Sequence, residues 1–262
     1  MIYTDSGFPL ITDGNAVEVV DEARAIDGGM GYDGSLAGPF GSSAPPKAIR
    51  RIPASERMDH YRRQQAEQSS PYHWWQAGGC KILSQGSWGY CWMFGTVGGM
   101  QCAYAQTGIQ SPHLNAHYPA WLGKNGANRG GWAGEALGYI ERFGVPEYGA
   151  FPGKPTNRAA YDRREARDNA NLHKAVEFAE LPRNDYDALC SVLLDPIDPR
   201  SVTMGLTFWG HLVIGLQWTP DGVLFANSWG ESWGKNGFGV LSPSKSVAFE
   251  QIAIERVTLR AA

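Results

Sequence analysis

The chain has 262 residues, enough for one large domain or for two small lobes around a cleft. Its net charge is −3 with acidic and basic residues interspersed, so it lacks the basic patch that nucleic-acid binding requires. It has no apolar run of about 18 residues and no basic-then-apolar start, which argues against a membrane span and a signal peptide. Four cysteines without CxxC spacing argue against a cysteine zinc site and against a disulfide framework.

Residues 1–70 differ in composition from the rest of the chain, since all ten tryptophans lie between Trp74 and Trp233. The Gly- and Pro-rich stretch 27–46 predicts an extended N-terminal arm, and residues 54–68 predict one short polar helix within it. An arm poor in core residues is usually disordered when it contacts nothing. We therefore expect this arm to lie on its own domain or on another chain. Three roles stay open for the arm: it wraps the domain, docks it to a larger assembly, or inhibits it.

From residue 71 onward, predicted helices precede predicted strands. Residues 91–106 predict a buried helix that ends at Thr107-Gly108, and its three internal glycines indicate close packing. Further helices are predicted at 132–143 and, as one charged helix or two, at 157–179. Strands are predicted at 201–208, 211–218, 222–229, 238–242 and 252–258. We therefore predict an α+β fold, with a helical lobe at about 71–180, an antiparallel sheet or barrel lobe at about 181–262, and a cleft between them.

One cysteine lies where a nucleophile would be activated. The segment 85–92, QGSWGYCW, places Cys91 at the start of the predicted buried helix, after a Gly-rich turn. Unpaired N–H groups and the helix dipole favour an anion at this end, so the thiol should ionise more readily there. Taken alone, a cysteine among apolar residues is more often a small core residue.

A histidine and an asparagine follow on two neighbouring predicted strands. His211 opens one strand, and Asn227 ends the next, 16 residues later. The turn Thr219-Pro220-Asp221-Gly222 predicts a hairpin between the two strands. The hairpin would allow a hydrogen bond from Asn227 to the imidazole, which is the arrangement of a nucleophile, a base and a group that orients the base.

Together these motifs resemble the papain family of cysteine peptidases. The resemblance rests on the segments QGSWGYCWMF, NRGGW and NSWGESWGKNGFG, which begin at residues 85, 128 and 227. It implies a papain-like fold, with a helical lobe and an antiparallel sheet lobe on either side of the active-site cleft. The roles it implies are Cys91 as nucleophile, His211 as base, Asn227 as the residue that orients His211, Gln85 as oxyanion-hole donor, Trp229 as a shield over the Asn–His contact, and Gly130 and Gly131 as the backbone that pairs with an extended substrate. Trp132, Trp209 and Trp229 lie beside motif residues and are further candidate substrate-binding residues.

Two departures from the family pattern stand out. Trp88 occupies the position of a family cysteine, and Asn128 and Arg129 stand where its disulfide partner is expected. The loss of both halves of the bridge indicates adaptation to a reducing compartment. Trp209, close to the base, would narrow the pocket for a substrate side chain, so substrate preference is not transferable from the family.

The sequence thus predicts a peptidase that hydrolyses peptide bonds through a thiolate–imidazolium pair. One alternative is a structural or docking component of a virion or another large assembly on the same scaffold, which could also be a particle-borne peptidase acting on cell-wall peptides. Another is a different Cys–His amidase class, such as a transglutaminase. No cofactor or metal is implied. The expected partners are a peptide or protein substrate and chains held by the arm, and the expected location is a reducing compartment, either the cytoplasm or an assembled particle.

Overall fold

The computed structural model describes residues 1–25, 30–37 and 49–258. In this part of the chain eight strands form one sheet in the order β1-β2-β7-β6-β5-β4-β8-β3. Neighbouring strands are antiparallel except β2 and β7, which are parallel. The strands are β1 (Ile2–Tyr3), β2 (Pro9–Ile11), β3 (Ala175–Glu180), β4 (Val202–Leu206), β5 (His211–Thr219), β6 (Gly222–Ala226), β7 (Phe238–Leu241) and β8 (Glu250–Thr258).

Helices cover the sheet and form the second lobe. They are α1 (Ala16–Ala25), α2 (Arg57–Glu67), α3 (Pro71–Ala77), α4 (Cys91–Gln106), α5 (His117–Gly123), α6 (Ala133–Phe143), α7 (Arg158–Tyr161), α8 (Arg164–Ala170) and α9 (Tyr186–Leu193). The helices predicted at 91–106 and 132–143 are confirmed, the second with its start one residue later. The order of helices before a mostly antiparallel sheet confirms the predicted α+β class.

Helix α4 is the centre of the helical side. All its residues from Cys91 to Ala105 are buried, which explains why the sequence shows no polar stripe along it. Its glycines let it lie close against β5: a Cβ at Gly95 would lie 2.3 Å from a methyl carbon of Leu212, and one at Gly98 would lie 2.1 Å from a methyl carbon of Ile214. The predicted role of these glycines in close packing is confirmed.

The hairpin β5–β6 closes as predicted, with Thr219 paired to Gly222. Strands β4, β5 and β6 are almost entirely buried. Helix α4 packs against one face of the sheet, and α1 and α9 contribute to an apolar cluster on the other face. The five predicted strands all form, and their ends differ from prediction by up to three residues. The hairpin fixes the relative positions of the first residue of β5 and the residue just after β6.

The N-terminal arm is more structured than its composition predicts. Strands β1 and β2 extend the sheet beyond β7. Helix α2 forms where the short polar helix was predicted, and α1 forms at residues 16–25, for which the sequence allows a strand or a short helix. Gln64 of α2 donates a 2.9 Å hydrogen bond to the carbonyl of Leu193, and Arg57 pairs with Asp187 of α9. Long-range pairing, which composition does not reveal, thus anchors the arm to its own domain. Of the stretch 27–46, residues 27–29 and 38–46 lie outside the described residues.

The region 157–179 also differs from its prediction. Two short helices, α7 and α8, end by Ala170, and residues 175–180 form strand β3 at the sheet edge. The sequence of β3, AVEFAE, has no regular alternation of apolar and polar residues, and for this reason the strand was missed. Among the described residues, no helix has the length and apolarity needed to cross a membrane.

Candidate active site

Cys91 is the first residue of α4 and has no exposed surface. Burial raises the pKa of its thiol to about 11, while backbone N–H groups of Leu212, Gly31, Trp92 and Tyr32 act in the opposite direction. The N–H of Leu212 belongs to the residue next to His211, so β5 brings the proposed base beside the start of α4. Burial thus shifts the pKa of this thiol in the direction opposite to the one that its position at a helix start predicts.

His211 and Asn227 form a short hydrogen bond at the ends of their strands. His211 Nε2 donates to Asn227 Oδ1 over 2.7 Å, since an amide oxygen can only accept. His211 Nδ1 is buried and has no hydrogen-bond partner, so this nitrogen can accept a proton. Burial lowers the pKa of the imidazole to about 4, against the effect of Asn227. The predicted hairpin contact between this His and this Asn is present.

Gln85 lies buried between the nucleophile loop, defined here as residues 86–90, and the segment after β6. Its backbone N–H donates to the Ser228 carbonyl over 2.9 Å, and its Nε2 donates to the Trp88 carbonyl over 2.6 Å. Ser228 Oγ donates to Gln85 Oε1 and so fixes the orientation of the amide. The sequence interpretation omitted Ser228, although it follows Asn227 directly.

Two of the predicted substrate-binding tryptophans contact the base directly. The centroid of the Trp229 ring lies 4.6 Å from that of the His211 ring, and the centroid of the Trp209 ring lies 5.0 Å from it. Trp209 is only 2 % exposed and also packs on Trp229, so it belongs to the apolar cluster that surrounds the imidazole. Trp132 is the N-cap residue of α6 and packs against the core of the helical side.

The arm occupies the cleft between the two lobes. Gly131 N–H donates to the Gly31 carbonyl over 2.8 Å, and Asp33 N–H donates to the Gly131 carbonyl over 3.0 Å. Tyr32 N–H donates to the Gly210 carbonyl over 3.0 Å. Gly130 leaves no room for a side chain here, because a Cβ on it would lie 2.5 Å from the Gly31 carbonyl oxygen. Gly130 and Gly131 thus lie against an extended peptide, which is a segment of this same chain.

Asn128 ties the nucleophile loop to the glycine pair. Its Oδ1 accepts a 2.6 Å hydrogen bond from Gly89 N–H, and its Nδ2 donates to the Ser87 carbonyl over 3.3 Å. The side-chain amide thus bonds to the peptide groups on both sides of Trp88. All four cysteines are free thiols.

Two residues near the cleft were missed by sequence reasoning. Tyr32 is 7 % exposed, and its only signal in the sequence is an isolated aromatic residue in a Gly-rich stretch. Glu250 is 4 % exposed and accepts hydrogen bonds from Ala133 and Gly134, the first N–H groups of α6. Burial raises the pKa of Glu250 to about 7. Within the described residues, no group of three or more His, Cys, Asp or Glu could hold a metal ion.

The chain is similar in sequence to a known cysteine protease and in fold to several solved ones. No family model matches the chain. Papain from Carica papaya is 24% identical over 177 residues, which cover 60% of this chain and 50% of papain's, so the chain spans about half the length of this curated relative. Among solved structures, xylellain, a cysteine protease from Xylella fastidiosa, matches with a TM-score of 0.61 and 13% identity over 88% of this chain and 97% of its own.

A digestive procathepsin L 3 of the Tenebrio molitor larval midgut matches with a TM-score of 0.58 and 17% identity, over 91% of this chain and 78% of its own. These matches show that the chain has the papain-like fold. They also confirm the resemblance to papain-like cysteine peptidases that the sequence motifs indicated.

Proposed function

We propose that this protein is a cysteine peptidase that hydrolyses peptide bonds with Cys91 as nucleophile and His211 as base. The observation that carries the proposal is the His211–Asn227 hydrogen bond, with the other imidazole nitrogen unpartnered, next to a cysteine at a helix start. The papain-like fold of the chain and its similarity to papain support it.

The roles follow from the chemistry of each group. His211 Nδ1 takes the thiol proton, and the sulfur of Cys91 attacks the substrate carbonyl carbon, forming a C–S bond and an oxyanion. The imidazolium then gives its proton to the amine, the C–N bond breaks, and a thioester remains, which water hydrolyses to release the acid and the thiol. Gln85 and the Cys91 N–H would bind the oxyanion, and Asn227 holds the imidazole in the tautomer that leaves Nδ1 open.

The test is labelling of the full-length protein with a thiol-directed peptidyl epoxide, followed by peptide mapping. We expect the label on Cys91, and Cys91→Ser should abolish it. Cys80 is the matched control, because it is the cysteine with some exposed surface and burial raises its pKa to about 12. Cys80→Ser should leave the labelling and the hydrolysis of a mixed peptide substrate intact. Labelling of Cys80 or Cys102 in preference to Cys91 would contradict the proposal.

The arm bears on the alternative of an assembly component. Its described contacts are with its own domain, as the pairs Arg51–Asp185 and Arg57–Asp187 illustrate. Within residues 1–25, 30–37 and 49–70 of the arm, no contact favours a docking role, so that alternative stays a prediction from the sequence. The same holds for the reducing compartment and for partner chains.

A further inference from the structure

A cavity of about 230 Å³ lies outside the active site, where the start of the arm meets α3 and the turn before β7. None of the residues that the proposed function uses lines it. An apolar cavity of about 150 Å³ is large enough to bind benzene, so this one has room for an aromatic ring with a few further atoms. It is smaller than the roughly 300–1,000 Å³ of a pocket for a drug-sized ligand. The volume therefore indicates a ligand of the size of one amino acid.

One side of the cavity, here called the aromatic wall, consists of Phe8, Tyr72, Trp75 and Phe238. The ring centroids of Tyr72 and Phe238 are 5.5 Å apart with the planes at 90°, and those of Trp75 and Phe238 are 6.2 Å apart at 82°. Phe8 meets Tyr72 in the same way, at 6.4 Å and 87°. Aromatic rings favour this edge-to-face arrangement, so a further flat ring can pack against the wall by continuing it.

Two opposite charges stand at the mouth of the cavity. Lys235 and Glu231 both line it, and both are exposed to solvent. The Lys235 ammonium lies 4.6 Å from the centroid of the Phe8 ring and donates a 2.5 Å hydrogen bond to the Ser6 carbonyl, which leaves two of its three N–H groups for a ligand. Within the described part of the chain, neither Lys235 nor Glu231 forms an ion pair, with the other or with a third residue.

These two charges define the class of ligand. A ligand with only a positive charge would be repelled by Lys235, and one with only a negative charge would be repelled by Glu231. An α-amino acid carries an ammonium and a carboxylate on one carbon, next to its side chain, so it can pair with both residues while its ring enters the cavity. Exposed ion pairs contribute little each, so burial of the ring should supply most of the affinity.

We propose that this cavity binds a free α-amino acid with an aromatic side chain. Its ring packs on the aromatic wall, its carboxylate pairs with Lys235 and its ammonium with Glu231. The site goes beyond the proposed peptidase function and does not depend on it. Cys80 also lines the cavity and is a partly exposed free thiol, so a bound ligand would cover it. This thiol therefore reports locally on whether the cavity is occupied.

The first experiment is isothermal titration calorimetry of the full-length protein with L-phenylalanine near neutral pH. Three further ligands each lack one feature: L-alanine lacks the ring, L-phenylalanine amide the carboxylate, and N-acetyl-L-phenylalanine the ammonium. We expect L-alanine to bind about tenfold or more weaker than L-phenylalanine, and each of the other two about threefold weaker. No binding of L-phenylalanine, or equal affinity for all four ligands, would overturn the proposal.

Charge variants test which residue pairs with which end of the ligand. In Lys235→Met, L-phenylalanine and its amide should bind equally, and in Glu231→Gln, L-phenylalanine and its N-acetyl form should bind equally. Lys245→Met is the matched control, because Lys245 lies 4.8 Å from the centroid of the Phe208 ring but does not line the cavity. A thermal melt verifies that each variant is folded. A preference for the acid over the amide that survives Lys235→Met, or that disappears in Lys245→Met, would refute the assigned pairing.

Protection of Cys80 locates the bound ligand. The rate at which methyl methanethiosulfonate modifies Cys80 is measured by peptide mapping, with L-phenylalanine absent or present at ten times its Kd. Occupancy of the cavity should slow the modification of Cys80 about tenfold. An unchanged Cys80 rate would show that L-phenylalanine binds elsewhere and would overturn the site. The titrations and the protection of Cys80 require no reaction at Cys91, so failure of this site and failure of the proposed peptidase function are distinguishable.

Discussion

Removing the amide of Asn128 should loosen the nucleophile loop. Asn128→Ala deletes the 2.6 Å bond from Gly89 N–H and the 3.3 Å bond to the Ser87 carbonyl. A net hydrogen bond contributes about 0.5–1.5 kcal/mol, and the second bond is long and exposed, so we expect a loss of about 1 kcal/mol in the free energy of unfolding. For a chain of this size that corresponds to a fall of roughly 2–4 °C in Tm.

The assay pairs a thermal melt with the rate at which the epoxide labels Cys91. If the lost free energy is all loss of productive loop geometry, the labelling rate falls about fivefold. Arg129→Ala is the control, because this neighbouring side chain is exposed and its change should stay within about 0.5 kcal/mol. An Asn128→Ala protein with wild-type Tm and labelling, or an equal effect from Arg129→Ala, would refute the role of the amide in holding the loop.

Three further predictions concern the charges of the site. Asn227→Ala should slow labelling of Cys91 about 10- to 100-fold, because the hydrogen bond that steadies the imidazolium is worth about 1.5–3 kcal/mol; an unchanged rate would show that the His211 ring is held by other groups. In wild type, burial raises the pKa of Cys91 to about 11, so the rate of its reaction with a small alkylating agent should rise with pH up to that value. Tyr32→Ala should move this rise in rate to lower pH. Superimposable pH profiles of the two proteins would contradict burial as the cause of the raised pKa. The pKa of Glu250 is raised to about 7 in the folded protein, so its contribution to stability is fully present below its ordinary pKa of 4.5 and is lost as pH rises through 7. Glu250→Gln should therefore flatten the dependence of Tm on pH over this range. An undiminished slope of Tm against pH would assign that dependence to another group.

Local patterns were enough to predict much of this structure. The apolar run and the flanking glycines defined helix α4, and the Thr219–Gly222 turn fixed the hairpin that brings His211 to Asn227. These features depend on neighbours in sequence, so a single sequence carries them. The order of predicted helices before predicted strands also gave the order of the lobes, and the resemblance to the papain family added the roles of the site residues.

Features that depend on distant pairing escaped prediction. Strand β2 is three residues long and exists because β7, some 230 residues later, offers it a free edge. Tyr32 lies among glycines that predict an extended arm. Its ring is buried because it packs against Gly205 of β4. Glu250 reads as a surface residue until α6 presents its N–H groups to it. In each case the partner, and not the residue's own neighbourhood, determines the environment.

The parallel pairing of β2 with β7 also sets the order in which the chain can fold during synthesis. Leu10 leaves the ribosome long before Val240, its partner in the sheet, has been made. Strands β1 and β2 can pair with each other early, but β2 waits for β7 through most of translation, and its docking follows the formation of the sheet edge that receives it. The arm segment in the cleft waits less long, because its partners Gly131 and Gly210 are made before β7.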